Sequence, residues 1–165
     1  MTPAELLKDA FGRILESGTA VVDGLTEEQL TYRVGPDANT IAWLVWHLAR
    51  VQDDHVADVA ETEQVWTAQG FEERFGLPFD RRATGYGMTT DEVGRVVASA
   101  ELLTAYLTAT HEATVAYLDT LTEADLDKVV DTRWDPPVTL GVRLVSVVND
   151  DTQHVGQAAY VRGLV

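Results

Sequence analysis

The sequence predicts an all-α protein, a four-helix bundle with long loops between its helices. Three observations carry the prediction. Four segments repeat apolar residues at helical spacing, each opens on a capping residue, and the stretches between them are dense in Gly, Pro, Asp and Thr. At 165 residues the chain is expected to form one domain over 1–165 that buries a core without staples.

The first helix is announced by Thr2, with Pro3 at the first helical position and Glu5 three residues after the cap. Leu6, Leu7, Ala10, Phe11, Ile14 and Leu15 then recur on one side, to about Val22. Thr26 closes a single turn on Gln29, and residues 31–39, with Gly35-Pro36-Asp37, form a loop. The second helix begins near Asn39 or Thr40. At about 100° per residue, His47 lies nearly in line with Thr40, Trp43, Val51, Asp54 and Asp58, flanked by Leu44 and Leu48. That places His47 beside the buried stripe.

Residues 63–89, with Trp66, Phe71, Phe75, Phe79 and Tyr86, are expected to be irregular. A loop that long usually caps something or carries function. Thr90–Val93 begins a short helical stretch, and Ser99 caps the third helix, whose stripe is Leu103, Tyr106, Leu107, Thr110, Thr114, Tyr117, Leu118 and Leu121. A second extended loop, containing Trp134-Asp135-Pro136-Pro137, leads to the fourth helix near Thr139, with Leu140, Leu144, Val147, Val148, Val155 and Ala158 inward. Asp23-x-Leu25-Thr26-Glu27-x-x-Leu30 is echoed by Asp119-x-Leu121-Thr122-Glu123-x-x-Leu126, which suggests two helix–loop–helix halves.

Composition narrows the chemistry. With no cysteine there is no disulfide, no zinc ribbon and no internal thiol nucleophile. A net charge of -15 disfavours nucleic acid and anionic membrane surfaces as partners. The N-terminus lacks a signal-peptide pattern and the apolar runs are broken by Arg, Asp or His, so a cytoplasmic protein with a small-molecule substrate is expected. Only Lys8 and Lys128 among the twelve basic residues are lysines, which suggests a GC-rich genome.

The chemistry-bearing stretch is Asn149-Asp150-Asp151-Thr152-Gln153-His154. Asp150 at i−4 and Asp151 at i−3 both share a helix face with His154, so either can chelate an ion with it. His47 on the facing helix adds a second nitrogen. Two nitrogens and one oxygen leave a coordination position open, and such a set suits zinc, nickel, iron, cobalt or manganese. Spacing alone does not choose between Asp150 and Asp151. An Asp buried here needs a partner, either a metal or an arginine such as Arg50 or Arg143. Arg50 and Arg143 are also candidates for holding a substrate carboxylate, and Gln157, one turn after His154, for bonding a bound molecule. Gly156 is expected to permit close helix approach. Asp54 reads as a solvated acid or as an acceptor bonded to a ligand residue, Asp58 as a solvated acid, His55 as a packed core-edge residue and His111 as surface, while Trp66, Phe71 and Phe75 read as core or as the lining of a pocket mouth or dimer interface.

The Trp46-His47 helix, the Asp-x-x-x-His-x-Gly-Gln segment (Asp150, His154, Gly156, Gln157) and the ending Tyr160-Val161-Arg162-Gly163 resemble the DinB-like superfamily, and its actinobacterial branch in particular, over essentially the whole chain. The resemblance implies a four-helix bundle, commonly a homodimer, with a three-residue metal site on its second and fourth helices. Carried over, His47, Asp150 and His154 are the ligands and Asp151 ranks second. Many members carry His where Asp150 stands. The acidic residue here is similar to the mycothiol-dependent maleylpyruvate isomerase branch, which has Glu. Enzymes of the superfamily are largely thiol S-transferases or isomerases using mycothiol, bacillithiol or glutathione. The implied cofactors are therefore a divalent metal, zinc foremost, and a low-molecular-weight thiol. In a chain without cysteine, a sulfur nucleophile must arrive on such a cofactor. A metal-dependent hydrolase on the same triad and a non-catalytic dimeric helical module are the alternatives.

Overall fold

The computed structural model describes all residues, 1–165. The chain runs through α1 (Pro3–Val22), the single turn α2 (Glu27–Leu30), α3 (Ile41–Ala60), the short helices α4 (Val65–Ala68) and α5 (Phe71–Phe75), and α6 (Thr90–Val93). It continues with α7 (Ala100–Leu118), a 3-10 turn (Glu123–Asp127), the strands β1 (Val129–Asp131) and β2 (Val138–Thr139), and α8 (Leu140–Arg162). No helix is long and apolar enough to cross a membrane.

Helix starts follow local chemistry. Thr2, Thr26, Thr40, Thr89, Ser99 and Thr139 each stand extended before a helix and accept a bond from the amide three residues on. The capping box of Thr2 and Glu5 is present, as is its counterpart at Thr26 and Gln29.

Helix α3 is the hub. It packs chiefly against α8 and α7, while α1 closes the other side against α7 and α8. The core includes Phe11, Ile14, Leu44, Leu48, Leu103, Leu107, Leu144 and Val155. The close approach of helices is made at Gly18 on α1, where an added Cβ would lie 2.6 Å from Leu107 and 3.8 Å from Val155. Gly156, expected to have that role, is exposed, and a Cβ there would meet nothing within 4 Å. It sits on the outward side of α8.

Two segments are more ordered than their composition suggested. Residues 63–89 contain α4 and α5. Gln64, the residue before α4, makes no side-chain cap. The cap is supplied by Asp53 of α3, whose carboxylate accepts from the amides of Val65 and Trp66 at 2.8 Å each. Tyr106 of α7 donates to the same group at 2.8 Å. Trp66, Phe71 and Phe75 then close over Tyr106 and are buried. The second loop folds into an antiparallel ribbon in which Val129 faces Thr139 and Asp131 faces Val138. This is the only sheet in an otherwise helical chain. The echoed segments differ as well, the first being an α-turn and the second a 3-10 turn.

Removing the Asp53 carboxylate would strand two buried amides and the Tyr106 hydroxyl. Asp53→Ala is expected to cost on the order of 3–5 kcal/mol in urea unfolding, as for other broken buried polar clusters. A loss below about 1 kcal/mol, within the range of an ordinary substitution, would show that α4 does not depend on this distant cap.

Candidate metal centre

His47 sits on the face of α3 that meets α8 and is 6% exposed. Its ring stacks on Trp43, one turn earlier, with centroids 4.4 Å apart and planes 17° from parallel. Nδ1 lies 2.5 Å from the carbonyl oxygen of Thr84. A carbonyl only accepts, so Nδ1 holds the proton and donates, and Nε2 keeps its lone pair. Burial lowers the pKa of His47, which the Thr84 carbonyl partly opposes; His154 lowers it further and Asp150 raises it. The net direction keeps the imidazole neutral, the form that ligates metals.

Gly85 makes that arrangement possible. Its φ of +99° is unfavourable for any residue with a side chain. A Cβ there would lie 2.5 Å from His47 Nδ1 and 3.2 Å from Trp43 Cζ2. The segment must therefore pass the ring as bare backbone.

On α8, His154 Nε2 lies 3.7 Å from Asp150 Oδ2. The His154 ring meets His47 edge to face at 4.8 Å and Trp43 at 6.0 Å. His47, Asp150 and His154 each offer a ligand atom, all within 4.8 Å of one another. Asp150 Oδ2 is sealed from solvent and has no hydrogen-bond partner. An orphaned carboxylate oxygen beside two imidazoles is a donor set that could hold a divalent cation, and the residue types present fit one.

Asp151 stands apart from this group. It is 0% exposed, and neither carboxyl oxygen has a partner. Burial, and then the neighbouring Asp150, push its pKa well above the ordinary aspartate value of 3.8. One residue is about 100° of helix rotation, enough to turn Asp151 into the core while Asp150 faces α3.

The cluster opens onto a cleft of about 760 Å³, lined by His47, Asp150, Thr84, His55, Arg143 and Tyr86 among others. At its far end Arg143 donates to His55 Nδ1 at 2.8 Å and to Asp131 at 2.9 Å, and the exposed Arg133 shares the same carboxylate. Tyr86 and Trp134 line the same cleft with most of their surface exposed. Arg143 is thus on the cleft wall. Arg50 is not: it is 0% exposed and bonded to the Ala83 carbonyl, Gln64 and Tyr106. Gln157 is exposed, its Oε1 3.4 Å from His154 Nδ1, on a separate groove of about 480 Å³ with Leu44 and Tyr160. Asp54 is half-buried and accepts from Gln64 at 2.7 Å, so it is not a purely solvated acid. Asp58 is exposed, whereas His111 is half-buried rather than on the surface.

Thr84 and Gly85 were not singled out by the sequence. The available signal was the pair Gly85 and Gly87 within a stretch otherwise rich in aromatics.

The chain matches the model of the mycothiol-S-transferase family over residues 6–165. It belongs to that family. Its fold is the DinB-like one expected from the sequence, and it superimposes on a crystal structure described as a conserved protein of locus from Enterococcus faecalis. That protein is 33% identical, with a TM-score of 0.93 over 100% of this chain and 98% of the other. No functionally curated protein matches significantly.

Asp151 makes this mycothiol-S-transferase family member pH-sensitive in a defined direction. Folded, Asp151 keeps its proton above 3.8; unfolded, it releases it. Its contribution therefore becomes less favourable as pH rises above about 4, by up to ~1.4 kcal/mol per unit until the folded pKa is reached. Asp151→Asn, which does not titrate, should gain in Tm on the natural protein as pH is raised from about 4 to 7, measured with a chelator present. A Tm difference that stays flat across that range would contradict the protonated state.

Proposed function

We propose that this protein is a metal-dependent transferase that uses a low-molecular-weight thiol of the mycothiol type, with His47, Asp150 and His154 holding the ion. The observation that carries the proposal is the convergence of three donors within 4.8 Å around an orphaned, buried carboxylate oxygen, at the wall of a solvent-open cleft. Family membership over residues 6–165 supplies the thiol-transfer expectation. Two imidazoles and one carboxylate suit zinc first. Three protein ligands leave a position for an exogenous donor.

A bound ion would supply Lewis acidity, stabilising a thiol as thiolate at neutral pH. The protein's own residues do the rest. His47, neutral and locked with its proton on Nδ1, offers Nε2 without competition from a proton. Trp43 covers one face of that ring and excludes water from it. Tyr86 and Trp134 flank the cleft with apolar rings, and Arg143 with His55 offers polar groups further in. The sulfur comes from the cofactor, because the chain has none to offer outside its two methionines. The proposal also carries a cytoplasmic setting, where such thiols stay reduced.

Purified protein should carry about one equivalent of zinc or another divalent metal. His47→Ala and Asp150→Asn should each weaken metal binding at least tenfold, and Asp151→Asn should leave the stoichiometry unchanged. A chlorodinitrobenzene-type electrophile should turn over only when thiol and metal are both present. Ester or amide hydrolysis without thiol would instead mark a hydrolase on the same residues. Failure to bind any ion, with the thermal stability of His47→Ala unchanged, would leave a non-catalytic helical module.

Gly85→Ala is a separate check on the geometry. It drives a methyl group into the His47 ring, so metal affinity should fall by about 10- to 100-fold while far-UV circular dichroism stays native. Unaltered affinity would mean that the 84–85 segment has no part in placing His47.

A further inference from the structure

His47 and Arg50 lie one turn apart on one face of α3 and bind consecutive carbonyls of one loop segment. Thr84 accepts from His47 Nδ1 at 2.5 Å, and Ala83 accepts from Arg50 Nε at 3.1 Å. Apart from packing of Gly85 on the His47 and Trp43 rings and of Met88 on the core, few polar contacts position this segment. Its own backbone bonds are two short-range ones, Ala83 to Asp80 at 2.8 Å and Met88 to Gly85 at 3.2 Å. The Trp43 indole meets Met88 sulfur at 3.5 Å beyond it.

Arg50, by contrast, is held through Nε and Nη1, while its buried Nη2 has no partner. Its Nη1 donates to Gln64 at 2.9 Å and to the Tyr106 hydroxyl at 3.2 Å. Asp53 lies 3.6 Å away, and the guanidinium sits 4.9 Å over the Trp66 ring. Charge balance alone would need only Asp53. Burying a guanidinium completely is costly, and here it places a rigid donor against a loop carbonyl.

We propose that Arg50 is a positioning residue for the metal centre: by holding the Ala83 carbonyl it sets the Thr84 carbonyl, which keeps the His47 proton on Nδ1 and aims Nε2 at Asp150 and His154. This rests on the proposal that those three residues hold an ion. It makes the buried polar network of Arg50, Asp53, Gln64 and Tyr106 part of the metal site's support, although none of these is among the three donors.

The test uses the full chain with zinc or cobalt(II) alone as probe. Arg50→Lys keeps the charge but loses the planar fork that reaches Ala83. It should bind metal at least about tenfold more weakly, the usual scale for an outer support of a ligand. Tyr106→Phe removes another partner of Arg50 without touching Ala83. It should lower Tm yet hold metal affinity within about twofold, well short of that scale. A folded Arg50→Lys that binds metal like the natural protein overturns the proposal, as does a Tyr106→Phe affinity that falls as far as that of Arg50→Lys.

Long-range nitrogen–proton NMR of the metal-free protein separates this proposal from the one beneath it. His47 should be wholly the Nδ1–H tautomer in the natural protein and mixed in Arg50→Lys. That result supports the role of Arg50 even if no metal binds, whereas an unchanged tautomer refutes it. If Arg50→Lys fails to fold, hydrogen exchange on the natural protein decides. Coupling is reciprocal, so zinc should slow exchange of the Arg50 Nε proton and of the amides at 83–88. Exchange unaffected by saturating zinc overturns the link.

Discussion

Helix α3 is buried around almost its whole circumference, and this constraint organises the rest of the protein. Fourteen of its twenty residues are buried, and among them His47, Arg50, Gln52 and Asp53 carry polar groups that water does not satisfy. Each finds its partner on another element. His47 bonds the Thr84 carbonyl, Arg50 the Ala83 carbonyl with Gln64 and Tyr106, Gln52 the Thr114 hydroxyl, and Asp53 the amides that open α4. The long segment between α3 and α7 therefore does more than connect. It supplies the backbone donors and acceptors that make a polar face on a buried helix tolerable.

Three carboxyl groups in or beside this interior meet the same cost in different ways. Asp53 collects three donors and stays beside Arg50. Asp151 collects none and is held towards its neutral form, where desolvation is cheaper. Asp150 keeps one oxygen buried and unbonded next to two imidazoles. An acceptor so placed beside two imidazoles could be satisfied by a cation. The protein thus separates two adjacent acids by one step of helix rotation, one towards α3 and the cleft, the other into the core.

His47, Asp150 and His154 lie within 4.8 Å of one another, and the sequence offered uneven grounds for choosing them. Helical spacing put both Asp150 and Asp151 on the face of His154; the resemblance ranks Asp150 first, and packing separates the two physically. His47 was legible as a histidine beside an apolar stripe. Its stack on Trp43 follows from i,i+4 spacing, whereas its bond to Thr84 spans 37 positions and left no pattern. From the sequence Arg50 is a candidate partner for a buried Asp or for a substrate carboxylate, and nothing local marks it as fully buried, since an isolated guanidinium rarely is. Its burial depends on Gln64 and Tyr106, at separations of 14 and 56 residues.

The sequence by itself determined where the long helices begin, which faces they bury and that the chain brings no sulfur nucleophile. Those facts rest on bonds to the amide three residues along, on apolar periodicity and on composition, all recorded locally. Tertiary structure decided what spans the chain. α4 is capped from α3, the ribbon forms before α8, Gly18 rather than Gly156 lets helices close, and a bare-backbone turn at Gly85 reaches His47. Each depends on which distant group can satisfy a buried dipole or fill a gap, and that is settled only when the helices have packed.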